Sequence, residues 1–381
     1  MKRLAILGST GSIGQQTLDV VRAFPDRLQV VALAAGKNID LLARQISEFH
    51  PCLVSIEAAE GREALRREST GSHVQLLSLD EMARHPDVDL VIVATSGKAG
   101  LTPTLAAIRA GKTVALANKE VLVMAGELVI SEARQCGVKL LPIDSEHSAL
   151  WQCLRGEGEG EVRRLILTAS GGAFRDLPLE ELAAVTPEQA LAHPTWQMGK
   201  KVTVDSATLM NKGFEVIEAR WLFDVPFDRI EVVLHRQSII HSLVEFVDGS
   251  IKAELSLPDM HLPIQYALSY PERWQAPQSF CGRIDFHELG ALTLEPLDSR
   301  RFPCFGLAIG AGKMGGTYPA VLSAADEVAV ELFLERRIGF LDIAKTVERA
   351  LDQHKNIDHP SLEEILEADA WVREKVGELG V

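Results

Sequence analysis

Asp144-Ser145-Glu146 and the run Val204-Asp-Ser-Ala-Thr-Leu-Met-Asn-Lys-Gly-Phe-Glu215 carry the side chains of this 381-residue chain best suited to chemistry. With a helix beginning just after Ser206, Thr208, Asn211, Lys212 and Glu215 fall at i, i+3, i+4 and i+7, so an amide, a cation and an anion share one stripe. Leu209, Phe214, Ile217 and Trp221 take the other faces, and the stripe itself runs out into Ala219 and Leu222. A solvated helix has no need of such a pattern, whereas a site for a metal and an anion does. Asp144 and Glu146 follow an expected strand at 139–141, and in extended chain residues i and i+2 point the same way. Two converging carboxylates repel, and a divalent cation relieves the repulsion. Glu215 completes an oxygen-only set without cysteine, which selects a hard ion such as Mg²⁺ or Mn²⁺ over zinc. Taken alone, a solvated Asp-x-Glu loop is the commoner explanation of the pair; the polar stripe weighs against it.

Ser170-Gly171-Gly172 follows an expected strand at 165–168. With Ser206, Asn211 and Lys212 it offers hydroxyls, backbone N–H groups and one ammonium to an anion. His193-Pro-Thr-Trp196-Gln-Met198-Gly199 lies in a loop bounded by proline and glycine, and reads equally as a lid that closes over substrate or as a loop docked on the core. His147 and His241 are weaker candidates that serve as well as structural histidines, and Met260 suits either core or pocket lining.

The other chemical feature is Gly8-Ser-Thr-Gly11-Ser-Ile-Gly14, placed between a strand at 4–7 and a helix expected over 16–24. Glycines let a backbone approach a pyrophosphate, and free N–H groups at a helix start bind it. After the second strand the chain reads Ala34-Ala35-Gly36-Lys37-Asn38, with lysine where NAD-binding folds carry an acid; that favours NADP(H). Ala117-Asn118-Lys119-Glu120 follows another strand, so Lys119 faces the ligand crevice or is an ordinary loop lysine.

These residues need a scaffold. Short apolar runs at 4–7, 30–33, 53–56, 90–93, 114–116 and 139–141 alternate with helical patterns, which predicts a Rossmann-type, doubly wound parallel sheet over residues 1–143. The glycine-rich 156–160 reads as a hairpin loop or linker, and strands at 165–168, 230–234 and 250–255 mixed with the polar helix predict an α+β catalytic domain over 144–276, its lid near 190–200. Residues 276–317 look irregular, and amphipathic helices at 320–335 and 341–354 predict an all-helical end to a 277–381 segment. Thirty-nine Lys and Arg against 53 Asp and Glu give a net charge of −14, which argues against nucleic acid or an anionic membrane as main partner. Five scattered cysteines (52, 136, 153, 281, 304) without CxxC predict reduced thiols. No apolar run suits a signal peptide or a membrane span, so a cytoplasmic location is expected.

Together these segments closely resemble the 1-deoxy-D-xylulose 5-phosphate reductoisomerase family: Ile6 to Gly14, Ala117-Asn-Lys-Glu120, Pro142-Ile-Asp-Ser-Glu-His147, His193-Pro-Thr-Trp196, Val204 to Gly213 with Glu215, and Ala324-Ala-Asp-Glu-Val-Ala329. The resemblance implies that Thr10, Gly11, Ser12, Ile13, Gly36, Lys37, Asn38, Asn118, Glu120 and Gly199 hold NADPH, and that Asp144, Glu146 and Glu215 hold Mg²⁺, Mn²⁺ or Co²⁺. It implies that Lys119, Ser145, Glu146, Ser170, His193, Ser206, Asn211, Lys212 and Glu215 bind a sugar phosphate that Trp196 covers, with Asp144, Glu146, Glu215, Lys119 and His193 in catalytic roles, in a homodimer. The implied reaction, a step of the non-mevalonate (MEP) route of isoprenoid biosynthesis, is a metal-assisted rearrangement of 1-deoxy-D-xylulose 5-phosphate, by retro-aldol cleavage or an α-ketol shift, then hydride transfer to give 2-C-methyl-D-erythritol 4-phosphate. Ala173, Arg236 and the run Ser96-Gly97-Lys98 depart from the family's usual residues and bear on local loop shape only. Two rival readings remain: a metal-free NADP-dependent semialdehyde-type dehydrogenase with Cys136 or Cys153 as nucleophile, and a non-catalytic NADP(H) sensor.

Overall fold

A computed structural model describes residues 1–58, 74–275, 277 and 282–379, which leaves Cys281 and parts of the segment expected to be irregular outside the description. The chain forms two compact units: Met1–Val121, Val129–Ser148 and Asp259–Gly282 make the first, and Leu122–Leu128, Ala149–Pro258 and Arg283–Val381 the second. That division differs from the three consecutive stretches expected, because 259–282 returns to the first unit and the C-terminal helices group with the α+β segment.

The first unit is built on seven parallel strands, β1 (Lys2–Leu7), β2 (Leu28–Ala35), β3 (Leu53–Ile56), β4 (Gln75–Leu76), β5 (Leu90–Val93), β6 (Thr113–Leu116) and β7 (Leu140–Pro142), in the order 4-3-2-1-5-6-7. Helices cover both faces of such a sheet, so its strands read as unbroken apolar runs: Leu4 to Leu7 and Val91 to Val93 are fully buried. Strand order reverses between β1 and β5, and ligands of doubly wound folds bind in the crevice at the carboxyl ends of the strands at that point.

The second unit holds a mixed sheet of β8 (Val162–Ala169), β9 (Ile230–Leu234), β10 (Ile240–Phe246), β11 (Ile251–Leu255) and β12 (Glu295–Pro296), ordered 11-10-8-9-12. Only β8 and β9 run parallel. The sequence reading omitted β10, although Asp248-Gly249 between two β-branched runs is a hairpin signal. Helices Lys200–Thr208, Met210–Phe223, Pro303–Met314, Tyr318–Leu334, Phe340–Gln353 and Leu362–Leu379 enclose an apolar core that includes Phe214, Ile217, Phe333 and Val347. The Pro303–Met314 helix corrects the expectation that 276–317 is irregular. Its glycines lower helix propensity, yet they allow close packing: a Cβ on Gly312 would meet Ile217 and Phe227 at 2.8 Å. On the partner helix a Cβ on Gly213 would meet Ala308 at 2.4 Å.

Candidate active site

In the first unit every expected ligand follows the carboxyl end of a parallel strand. Gly8 leaves β1 with φ +94°, and a Cβ there would lie 2.4 Å from the carbonyl oxygen of Ala94, just beyond β5. A Cβ on Gly14 would lie 2.2 Å from the Gly8 oxygen, so only glycine permits this tight passage. The helix begins at Ser12, four residues before the expected start, with Gly11 as an N-cap that supplies no side-chain acceptor and no acid in the first turn. Thr10, Ser12 and Ile13 therefore present backbone N–H groups at a positive helix end, the arrangement that receives phosphate, while the Gly11 N–H donates to Gly8 O at 3.1 Å and tightens the turn.

Lys37 is exposed just after β2. Asn38 also has a structural task, for its Oδ1 accepts from the Leu41 N–H at 3.1 Å and caps the helix Ile39–Phe49. Asn118 is buried after β6, and its Nδ2 donates to Gly97 O at 2.9 Å and Thr95 Oγ1 at 3.2 Å. Its Oδ1 has no hydrogen-bond partner among the described residues, and a buried acceptor of that kind is costly unless something satisfies it. Glu120 is buried in the first turn of the helix Glu120–Gln135.

Asp144 follows β7, and Lys119 Nζ lies 2.5 Å from its Oδ2 with both side chains mostly buried. The chain is not extended through this pair, as the sequence reading had it. Helix Ser145–Cys153 starts immediately, which puts Glu146 in its first turn, and Ser145 Oγ donates to Glu146 Oε2 at 2.6 Å. His147 is fully buried, in keeping with a structural role.

The second unit carries the anion-binding candidates. The polar run is not one helix starting after Ser206. Helix Lys200–Thr208 ends, Leu209 adopts φ +58°, and a second helix runs Met210–Phe223. Thr208 thus leaves the stripe, its Oγ1 donating back to Asp205 O at 3.2 Å. Asn211, Lys212 and Glu215 keep their expected relation: Asn211 Nδ2 donates to Glu215 Oε1 at 2.5 Å, and Lys212 Nζ pairs with Oε2 of the same buried carboxylate.

The Ser170-Gly171-Gly172 turn after β8 has both glycines at positive φ. Gly172 rests directly on the Lys200–Thr208 helix, where a Cβ would lie 2.3 Å from the Ser206 carbonyl oxygen; this brings Ser170 and Ser206 into one neighbourhood. His193 Nδ1 accepts backbone N–H groups from Thr195 (3.1 Å) and Trp196 (2.9 Å), which leaves the ring proton on Nε2 to donate to Ser170 Oγ at 2.9 Å. Ser170 Oγ also accepts from Gly172 N at 3.3 Å, so its own O–H is left able to donate to a further acceptor. Burial first, then the nearby Arg175 cation, holds His193 down at about 4, so the ring is neutral at pH 7. Arg175, which sequence reasoning missed, anchors the turn by donating from Nη1 to Ser170 O at 2.8 Å.

Trp196 stacks edge-on with His241, ring centres 6.0 Å apart, and His241 Nε2 lies 3.3 Å from Ser256 O. Gly199, an expected cofactor ligand, belongs to the second unit as N-cap of the Lys200–Thr208 helix. Of the unusual positions, Arg236 clamps both oxygens of Asp176 (2.7 and 2.8 Å) and Glu295 (2.8 Å), supplying a fastening of its own; Ala173 packs on the core; Lys98 lies in a short turn at Gly97–Gly100. Burial raises the Cys153 thiol to about 11 and raises Cys304 further, so neither is a ready nucleophile.

A parallel sheet that delivers a glycine turn, a lysine and a buried asparagine from the carboxyl ends of β1, β2 and β6 is how nucleotide-dependent α/β oxidoreductases are built, and this chain is of that class. Comparison with known proteins narrows the class. Family models described as 1-deoxy-D-xylulose 5-phosphate reductoisomerase, its C-terminal domain, and DXP reductoisomerase C-terminal domain match residues 4–126, 140–223 and 255–375 respectively. The chain is 53% identical to the 1-deoxy-D-xylulose 5-phosphate reductoisomerase of Geobacillus sp. (strain WCH70), covering 100% of both chains. It is also 53% identical to that of Caldanaerobacter subterraneus subsp. tengcongensis, covering 99% of this chain and 98% of the relative. Among solved structures, the Zymomonas mobilis reductoisomerase in complex with NADPH superposes with a TM-score of 0.91 at 44% identity, covering 100% of this chain and 99% of that one. A DOX-P reductoisomerase in complex with NADPH, fosmidomycin and magnesium gives 0.93 at 40% identity, covering 99% and 98%. The chain belongs to the 1-deoxy-D-xylulose 5-phosphate reductoisomerase family.

Proposed function

We infer that this chain is an NADPH- and divalent-metal-dependent reductoisomerase that converts 1-deoxy-D-xylulose 5-phosphate to 2-C-methyl-D-erythritol 4-phosphate. The observation that carries the reading is likeness over the full length to relatives of that name.

Both cofactors fit the residues present. The glycine passage at Gly8 and Gly14, the uncapped helix start at Thr10 to Ile13, Lys37 beside a 2′-phosphate and the unsatisfied Asn118 Oδ1 suit NADPH, which supplies hydride. Gly36, Asn38, Glu120 and Gly199 complete its proposed contacts. Asp144, Glu146 and Glu215 are hard oxygen donors that would hold Mg²⁺, Mn²⁺ or Co²⁺, which supplies Lewis acidity and a template for the substrate's oxygens. Lys119 and Lys212 each pair with one of those acids, so they help to aim the carboxylates.

The substrate phosphate would bind the O–H of Ser170, Ser206, Asn211 and the Lys212 ammonium. Neutral His193 orients the Ser170 hydroxyl and adds no charge of its own at pH 7. Ser145, Lys119 and Glu146 would meet the reacting end, and the loop carrying Trp196 would close over it to exclude water.

Assembly as a homodimer, a cytoplasmic location and the three-part domain division remain proposals by family likeness. Among the described residues no helix is long and apolar enough to cross a membrane. The deciding experiment is NADPH oxidation with 1-deoxy-D-xylulose 5-phosphate, with and without added Mg²⁺. Oxidation that needs both substrate and metal is expected, and no oxidation with all three present would sink the reading.

A further inference from the structure

The elbow at Leu209 needs an explanation of what holds it. Two helices joined by one residue at φ +58° lose the continuous hydrogen-bond ladder that fixes direction within a single helix, so their relative angle depends on side chains. One side chain reaches both helices and a third. Lys201, in the first turn of Lys200–Thr208, places Nζ 2.6 Å from Asp205 Oδ2 on its own helix and 2.9 Å from Asp326 Oδ2 on Tyr318–Leu334. The same ammonium lies 4.7 Å from the ring centre of Phe214 on the Met210–Phe223 helix. Asp205 is 2% exposed, Asp326 and Phe214 are fully buried, and Lys201 is mostly so.

Two buried carboxylates therefore share one cation, and that cation also packs on the ring two residues beyond Lys212 and one before Glu215. Buried charges hold their partners tightly because an unpaired charge there is very costly, and a cation over an aromatic face gains when desolvated. We propose that Lys201 is a positioning residue for the substrate site: by tying both helices to Tyr318–Leu334 it sets the elbow angle, and with it the spacing between Ser206 and the Asn211-Lys212-Glu215 stripe. Lys201 acts on that spacing through Asp205 and Phe214. The inference rests on the proposed function and deepens it.

The test is Lys201→Met, Lys201→Arg and the double variant K201M/D326N, read by KM for 1-deoxy-D-xylulose 5-phosphate, KM for NADPH and amide exchange across residues 209–213. Lys201→Met should raise the sugar-phosphate KM by about tenfold or more, the scale on which sub-ångström misplacement acts. The NADPH KM should stay close to wild type, exchange at the elbow should quicken, and Lys201→Arg should restore most of the loss. Where Lys201→Met alone does not fold, the double variant decides, since it removes one buried anion together with the cation. A raised sugar-phosphate KM in the folded double variant supports a positioning role. Wild-type KM in either folded variant, or equal losses for both substrates, overturns it. Should the wild-type chain fail to oxidise NADPH with this substrate, the proposed function falls, while exchange across 209–213 still judges the elbow.

Discussion

Gly172→Ala tests the joint between the serine-bearing turn and the serine-bearing helix. Gly172 has φ +70°, where an L-residue costs about 1–2 kcal/mol. The new Cβ would stand 2.3 Å from Ser206 O, 2.8 Å from its carbonyl carbon and 2.9 Å from Ala207 Cα. Real Cβ contacts stop near 3.0 Å, so turn and helix must part by at least the difference, 0.7 Å, and backbone atoms cannot rotate aside. Overpacking of this kind costs about 1–3 kcal/mol more, for a total of about 2–5 kcal/mol. Gly249→Ala is the matched control, for Gly249 has φ +86° with nothing within 4 Å, so only the backbone cost applies. Urea midpoints followed by tryptophan fluorescence should place Gly172→Ala well below Gly249→Ala. Because the displacement separates Ser170 from Ser206, the sugar-phosphate KM should rise by roughly ten- to a hundredfold in Gly172→Ala alone. A Gly172→Ala protein as stable as Gly249→Ala, with wild-type KM, would refute the close approach and the shared neighbourhood of the two serines.

Glu215→Gln keeps the shape of the side chain but removes a charge that Asn211 and Lys212 both hold; Mg²⁺ activation should shift to roughly 10- to 100-fold higher metal concentration, the range seen when even supporting groups at metal sites are lost, while NADPH affinity by fluorescence titration stays unchanged. Unchanged turnover at limiting Mg²⁺ would remove Glu215 from the ligand set. For His193, depressed from 6.5 to about 4, the unfolded chain binds the extra proton first, so its contribution to stability is whole above pH 6.5 and is lost as pH falls toward 4. The fall in urea midpoint between pH 7 and pH 5 should be smaller in His193→Gln than in wild type, and equal slopes would contradict a buried neutral ring. Iodoacetamide at neutral pH should label the exposed Cys136 and leave Cys153 and Cys304 intact by peptide mapping, with activity retained; inactivation on labelling would favour the thiol-dependent dehydrogenase instead.

What the sequence made legible divides along a physical line. The parallel sheet was readable because strands buried on both faces must be apolar throughout, and the turn after β1 because the backbone at Gly8 and Gly14 admits no side chain. Asn211, Lys212 and Glu215 were readable because their relation is internal to one helix turn. Asp144 and Glu146 were paired on an extended geometry that the chain does not adopt: periodicity has no means to say that a helix starts at Ser145, directly after β7. The elbow at Leu209 was invisible for a stronger reason. A buried leucine at φ +58° contradicts its own propensity, and such strain persists only where the surroundings impose it. The helix leading into Leu209 is held by Asp326, more than a hundred residues away in sequence, and abuts Gly172 on another element. The break turns Thr208 back on its own helix and leaves Ser206 in the last turn of one helix and Asn211 in the first turn of the next. A straight helix would hold Ser206 and Asn211 five residues apart, well over a quarter-turn out of line. The local rule is thus broken between two residues proposed to bind the same anion, and strain of this kind is expected where a site is being shaped.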